Sequence, residues 1–459
     1  MNLKKEARTM IFINIVVCCI AGSMLATALN TALPPILADF HIGATVGQWL
    51  TSGYSLAMAI IMPLTAFLIN RFPTKPLYCT SIAIFIVGLF LSATATNFPM
   101  MMIGRVIQAI GNGMYATMGQ VIILSIYPPE KKGAAMGWYG LSAGAAPVLA
   151  PTLAGVLVDM WNWRMIFILS IIIMSFSFVH AMGVLKNVLP TEKKRFKITS
   201  FLLSGLAFGG LTLAIGNIGT YGFISTPVLL SFAVGCASSV VFACQQLRLD
   251  DPFLDLRLLK NRNYMVSVVG SMFLYFILMG SAILLPLYIQ QTMGLSATIS
   301  GLVTLPGSLT MAIISPFAGK IFDKVGIKVL LVGGAIALTL SNAGMYFITI
   351  ETPLWIISGL NVIRSFAIGC TMMPLVTWGA GSVNCYKTAD ATALLTALRT
   401  IAGSIGSSVF VAIMTIAGIS INTSCVAGST YGFNIAYLAM AITGIVMILF
   451  AIWGCCQKK

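Results

Sequence analysis

Charge is what this 459-residue chain has least of. Only 8% of its residues are Asp, Glu, Lys or Arg, against about 25% in soluble globular domains. That composition excludes a soluble globular protein, and equally a disordered chain, a collagen or a coiled coil. Acids are the scarcest charges, 11 in all, and there are two histidines, His41 and His180. An enzyme that gathers His, Asp or Cys at one depth lacks its raw material. The ten cysteines include no Cys-x-x-Cys, and most lie in apolar runs (Cys18, Cys19, Cys79, Cys236, Cys244, Cys370). They read as small packing residues, so neither a disulfide framework nor a metal site is expected. No Gly-x-x-x-x-Gly-Lys-Ser/Thr loop occurs, which argues against ATP-driven pumping. No cofactor is expected.

What remains is apolar: 58% of residues are hydrophobic and the mean hydropathy is +0.98. At about 20 apolar residues per bilayer crossing, a window along the chain gives fourteen runs, the first near 10–33 and the last near 431–454. The first run is too long for a signal-peptide core and lacks a cleavage site. In lipid each run satisfies its backbone only as a helix. The net charge of +15 has a topological meaning. Counting Lys and Arg between alternate runs, 22 fall on one side and Arg164 alone on the other, while Arg105, Arg364 and Arg399 lie inside runs. Basic residues mark cytoplasmic loops, so both termini are expected in the cytoplasm of a multi-pass cell-membrane protein. Scattered over short loops, these charges form no nucleic-acid patch.

The chain also repeats itself. Met58-Ala59-Ile60-Ile61-Met62-Pro63 and Met311-Ala312-Ile313-Ile314-Ser315-Pro316 match at an offset of 253 residues. At that same offset Asn70-Arg71-Phe72-Pro73-Thr74-Lys75 aligns with Asp323-Lys324-Val325-Gly326-Ile327-Lys328. Arg105 precedes Ala109-Ile110-Gly111 much as Arg364 precedes Ala367-Ile368-Gly369. These matches map spans 1–6 onto spans 9–14 and leave spans 7 and 8 as an insertion. The expected fold is an all-α polytopic membrane protein of 14 transmembrane helices: two pseudo-symmetric six-helix bundles plus an inserted helix pair. The expected boundaries are 1–185, 186–260 and 261–459. Two such halves are the logic of an alternating-access transporter.

Several motifs carry a family resemblance. The loop Asp323-Lys324-Val325-Gly326-Ile327-Lys328 after Gly319 is similar to Gly-x-x-x-Asp-Arg-x-Gly-Arg-Lys. Arg105-Val106-Ile107-Gln108-Ala109-Ile110-Gly111 is similar to Arg-x-x-Gln-Gly-x-Gly, and Gly140, Gly144, Pro147, Pro151 and Gly155 to the antiporter motif of span five. Trp163-Arg164-Met165-Ile166-Phe167 and the loop from Pro252 to Arg262 add two further matches. Over nearly its whole length the chain resembles the fourteen-span drug:proton antiporters of the major facilitator superfamily. That resemblance implies proton-coupled multidrug efflux conferring antibiotic resistance, with a small-molecule substrate, the lipid bilayer as partner and a functional monomer.

The resemblance assigns proton coupling to Arg105, beside Gln108 one turn away. It assigns gating and a conformational latch to Arg71, Lys75, Gly144, Pro147, Pro151, Gly155, Gly319, Asp323, Lys324 and Gly326. In the first half the latch acid is replaced by Asn70 and its glycine by Pro73. Leu25 stands where the family often has a span-one Asp, and no acid reads as mid-membrane. Asp39 at the outer end of span one and His180 in span six are the proton-carrier candidates. Asn30, Gln48, Trp49, Tyr54, Gln108, Asn112 and Met118 are substrate-lining candidates, since Met and aromatic surfaces adapt to varied ligands. Arg399, near the cytoplasmic end of span thirteen, is expected to snorkel. Without a buried acid, a specific neutral or anionic metabolite, or facilitated transport without protons, stays open as an alternative.

Overall fold

The structure is a computed structural model that describes residues 4–47, 49–191, 197–221, 225–249, 252, 254–420 and 425–455. Among the described residues it is helical throughout, with no strand. The long helices are α1 (Lys5–Phe40), α2 (Trp49–Arg71), α3 (Thr74–Ala93), α4 (Phe98–Ile126), α5 (Lys132–Met160), α6 (Arg164–Val184), α7 (Ile198–Tyr221) and α8 (Thr226–Arg248). They continue as α9 (Arg262–Leu287), α10 (Ala297–Val325), α11 (Ile327–Tyr346), α12 (Leu354–Gly381), α13 (Thr388–Ser420) and α14 (Cys425–Cys455). Of the fourteen crossings expected from sequence, twelve meet the length and hydropathy of a membrane span over the described residues. In α7 the apolar stretch is the shorter Ile198–Ala214. The helices are apolar on all sides. Large side chains such as Phe176, Val179, Phe347 and Trp355 stand exposed, where lipid takes the place of water.

The helix ends follow from local chemistry. Asn97 caps α4 by accepting from the Met100 amide at 2.9 Å. Asn261 caps α9 and Ser296 caps α10 in the same way. Gly326 ends α10 and precedes α11 with φ of 81°, a left-handed conformation that a side chain resists. Its counterpart Pro73 precedes α3 with φ of −57°, so the two corresponding turns are built differently.

Two compact units emerge, each a helical bundle. The first comprises Met1–Pro128, Ala145–Leu258 and Val383–Ala397. In it α2 and α3 pack on α4, α3 packs on α6, and α6 on α1. The inserted helices α7 and α8 pack on each other, and α7 on α2. The second comprises Pro129–Gly144, Leu259–Ser382 and Leu398–Lys459. There α10 and α11 pack on α12, α11 packs on α14, and α14 on α9. The two plans correspond: α1, α2, α3, α4 and α6 pack among themselves as α9, α10, α11, α12 and α14 do. The first turns of α5 belong to the second unit, and the first turns of α13 to the first.

Small residues set the closest approaches. At Gly111 on α4 an added Cβ would meet the Phe85 backbone of α3 at 2.6–2.8 Å, and Gly88 of α3 lies as close to the Gln108 amide. Helices in lipid associate through such contacts, since burial against another helix gains little over burial in acyl chains. Gly155, by contrast, faces open space. Gly111→Val should therefore cost about 1–3 kcal/mol through overpacking, whereas Gly155→Val should stay within about 0.5 kcal/mol. Thermal unfolding of the detergent-purified variants checks the contrast.

Candidate functional site

Arg105 is a charged residue in the body of α4, and the first unit closes around it. It is 1% exposed. Its Nε donates to the Leu50 carbonyl at 3.2 Å, and its Nη1 to Gln108 Oε1 at 2.7 Å. Gln108 in turn donates through Nε2 to the Gly88 carbonyl at 3.0 Å and to Ser92 Oγ at 2.7 Å. The guanidinium lies 4.1 Å from the centroid of the Tyr54 ring. On the next turns of α4, Asn112 donates to Tyr54 Oη and lies 3.8 Å from Met58 Sδ.

Helix geometry explains this grouping. Arg105, Gln108 and Asn112 recur at i, i+3 and i+7 on one stripe of α4. Tyr54 and Met58 recur at i and i+4 on α2. The glycine contact with α3 brings the Gly88 carbonyl and the Ser92 hydroxyl within reach of Gln108. The result is a fixed, fully buried cation that holds an aromatic face and a polar row. It contains no nucleophile and no base. It holds no metal-binding group either, for no cluster of three His, Cys, Asp or Glu occurs among the described residues.

Of the substrate-lining candidates, Tyr54, Gln108 and Asn112 thus come together on Arg105. Met118 is fully buried further along α4, and Trp49 at the start of α2 is 40% exposed. Gln48 and the side chains of Asn30, Pro147 and Pro151 lie outside the described residues.

The proton-carrier candidates sit elsewhere. Asp39 lies at the end of α1, where its Oδ2 accepts from Arg164 Nη1 at 2.8 Å and from Trp163 Nε1 at 3.2 Å. Hydrogen bonding from Arg164 holds its carboxyl below the ordinary carboxylate range. His180 on α6 meets Asn14 of α1: Asn14 Nδ2 lies 3.2 Å from His180 Nδ1 and donates to the Ser177 carbonyl at 2.8 Å. Asn14 is 2% exposed and went unnoticed in the sequence, where only an isolated Asn in an apolar run could have pointed to it.

The gating candidates fall into two groups. In the second unit Asp323 accepts the Gly133 and Ala134 amides, each at 2.8 Å, at the N-terminus of α5. An added Cβ at Gly319 would collide with the Gly133 carbonyl, and one at Gly144 would meet Met311. Lys324 is exposed, and Gly326 forms the turn described above. In the first unit Arg71 is exposed and the Lys75 amide donates to Asn187 Oδ1 at 3.0 Å. Asn70, whose partner is not legible in the sequence, donates to Asp390 Oδ1 at 3.2 Å, and Lys387 pairs with Asp255 at 2.6 Å. Nothing in the sequence links residues 320 positions apart. Arg399 does not snorkel; it is 5% exposed, with its guanidinium 4.7 Å from the Tyr275 ring centroid. Sequence position gave its depth but not the face of α13 it occupies.

The family profile described as Major Facilitator Superfamily matches residues 12–407. The uncharacterized MFS-type transporter YcnB of Bacillus subtilis (strain 168) is 33% identical over 441 residues, which cover 94% of this chain and 92% of that protein. The lincomycin resistance protein LmrB of the same organism is 33% identical over 418 residues, 88% of this chain and 85% of that one. The riboflavin transporter RibZ of Clostridioides difficile (strain 630) is 28% identical over 404 residues, 87% of each chain. The crystal structure of the human organic anion transporter MFSD10 superposes with a TM-score of 0.69 at 13% identity, covering 98% of this chain and 100% of that one. That last likeness is one of fold.

The Asp39–Arg164 pair generates a pH prediction. A carboxyl depressed in the folded state contributes stability that is present above its unfolded value and lost as pH falls through the folded one. Asp39→Asn should therefore lower the melting temperature slightly near neutral pH. The difference from wild type should begin to shrink as pH falls below about 4, the ordinary carboxylate range. Melting curves of both proteins between pH 3 and 7 test this.

Proposed function

The chain belongs to the Major Facilitator Superfamily, and we propose that it is a proton-coupled exporter of small amphipathic compounds working by alternating access. It is a membrane transporter and not an enzyme. The observation that carries the proposal is the buried guanidinium of Arg105 with its row of polar partners. An Arg at the bilayer centre costs about 2.5–3.5 kcal/mol even on insertion scales, and close packing of α2, α3 and α4 does not require one. A relative whose name specifies lincomycin resistance supports export of drug-like compounds.

In this proposal α5 and α7 complete fourteen crossings, and the termini face the cytoplasm with the 22 basic loop residues. The halves 1–185 and 261–459 are the moving bundles, joined by 186–260, and one copy of the chain suffices. Arg105 is the coupling residue, and Asp39 and His180 are the titratable groups toward the outer and inner ends of their helices. Tyr54, Gln108 and Asn112 are the substrate contacts on α2 and α4, with Met118, Trp49, Asn30 and Gln48 extending them. Asp323 on the α5 N-terminus, with Gly319, Gly326, Lys324, Arg71, Lys75 and the Gly144–Gly155 stretch with Pro147 and Pro151, forms the latch and gate.

A second possibility, a carrier for a specific neutral or anionic metabolite with or without protons, is favoured by one observation. Among the described residues the buried acids are Asp255 and Asp390, both close to cytoplasmic helix ends. A relative named for riboflavin fits it too.

Growth inhibition by a compound panel in an overexpressing strain, repeated with Arg105→Ala and Arg105→Lys, tests the coupling role. Resistance should fall about tenfold or more with Arg105→Ala, the scale of charged hydrogen bonds lost from a buried site, at unchanged membrane abundance. Resistance that survives the loss of Arg105 contradicts it. Proteoliposomes under a pH gradient should accumulate a panel compound and release protons.

A further inference from the structure

Arg105, Arg364 and Arg399 lie in the bodies of crossing helices, away from their ends, and the protein satisfies them to different degrees. Arg105 is bonded through Nε and Nη1 to groups of its own unit. Arg364 donates from Nη1 to Tyr437 Oη at 3.0 Å and from Nη2 to Asn361, leaving Nε without a partner. Arg399 stands apart. Its Nε and Nη1 are both buried and both lack a hydrogen-bond partner. The ion pairs among the described residues, Arg164 with Asp39 and Lys387 with Asp255, do not include it.

The surroundings of Arg399 are built. Its guanidinium lies against the Tyr275 ring on α9. The approach of the two helices is fixed nearby, because an added Cβ at Gly403 would meet Tyr275 and Met279, and one at Gly406 the Phe276 backbone. A guanidinium stacked on a ring keeps its N–H donors in its own plane, free at the edge for a second group. One turn back along α9, Ser271 is 2% exposed and its hydroxyl also lacks a partner. Native proteins pair nearly all such donors, and an unpaired buried charge is the costliest exception. Charged N–H donors on the edges of a guanidinium fit an oxyanion: carboxylate, sulfonate or phosphate.

We propose that Arg399, with the Ser271 hydroxyl on the neighbouring helix, is the recognition site for an anionic group on the transported compound, so that the substrates are amphipathic acids. This rests on the transporter assignment and narrows its substrate class. Neither Arg399 nor Ser271 belongs to the Arg105 group, so the two sites are separable by mutation.

Three probes share one ring and differ in charge: 1-naphthoate, 1-naphthamide and 1-naphthylmethylammonium. Each is titrated against the full-length protein in an uncharged maltoside detergent, and the melting temperature is followed. Naphthoate should raise it while the amide and the ammonium do not. In Arg399→Gln the naphthoate concentration for half the effect should rise about tenfold or more, the scale of a lost charged hydrogen bond. Arg399→Lys, which keeps the charge but not the planar guanidinium, should fall between, and Ser271→Ala should weaken binding a few-fold. If Arg399→Gln has no melting transition of its own, Arg399→Lys decides. Unchanged naphthoate affinity in the variant that folds, equal stabilisation by the ammonium, or no stabilisation by naphthoate overturns the proposal. Counterflow of the same probes in proteoliposomes separates the two levels. Naphthoate bound through Arg399 but no probe moved would leave the anion site standing and remove the exporter. Amide or ammonium moved without naphthoate binding would do the reverse.

Discussion

A guanidinium keeps its charge under any condition a cell offers, so one placed inside a lipid-embedded helix draws its partners from the protein or from a bound group, not from lipid. Arg105 imposes that constraint on the whole first bundle. The start of α2 must present the Leu50 carbonyl, and α3 must lie close enough for Gly88 and Ser92 to hold Gln108 in place. The glycines at 88, 104 and 111 permit that approach, since each would bring an added Cβ onto the neighbouring helix. The Tyr54 ring then covers the guanidinium face and ties Asn112 to the same group. Packing, polarity and position on α4 are therefore one arrangement.

The same economy of charge governs the helix ends that carry Asp323 and Asn70. Where the second unit has Asp323 on two amides at the start of α5, the first unit carries Asn70, and the acid of that pair is Asp390 in the first turn of α13. The carboxylate has not vanished from the first repeat; it has moved to the other partner. Lys387 and Asp255 add an ion pair to the same unit, and so tie the segment Val383–Ala397 to it.

Much of this could be read from the chain alone, for identifiable reasons. Apolar length located the helices because lipid leaves the backbone no alternative. The repeat foretold that helix pairs in one bundle recur in the other, since homologous segments bury homologous faces. The Arg105–Gln108 contact was legible because it lies within one helix turn. The Leu50 carbonyl, Ser92 and Tyr54 were not, because they arrive on other helices, and backbone acceptors leave no mark in a sequence. Asn14 beside His180 and Asp390 beside Asn70 were hidden for the same reason. Arg399 was misplaced because distance along a helix gives depth, while the choice between lipid and interior depends on rotation.

The central claim is that the polar row on α4 opens to each side of the membrane in turn. In a cysteine-free background, Asn112→Cys can be treated with a membrane-impermeant maleimide in right-side-out and inverted vesicles, with and without a pH gradient. Alternating access predicts labelling from both faces, with the gradient shifting the balance between them. Labelling confined to one face under every gradient would contradict it.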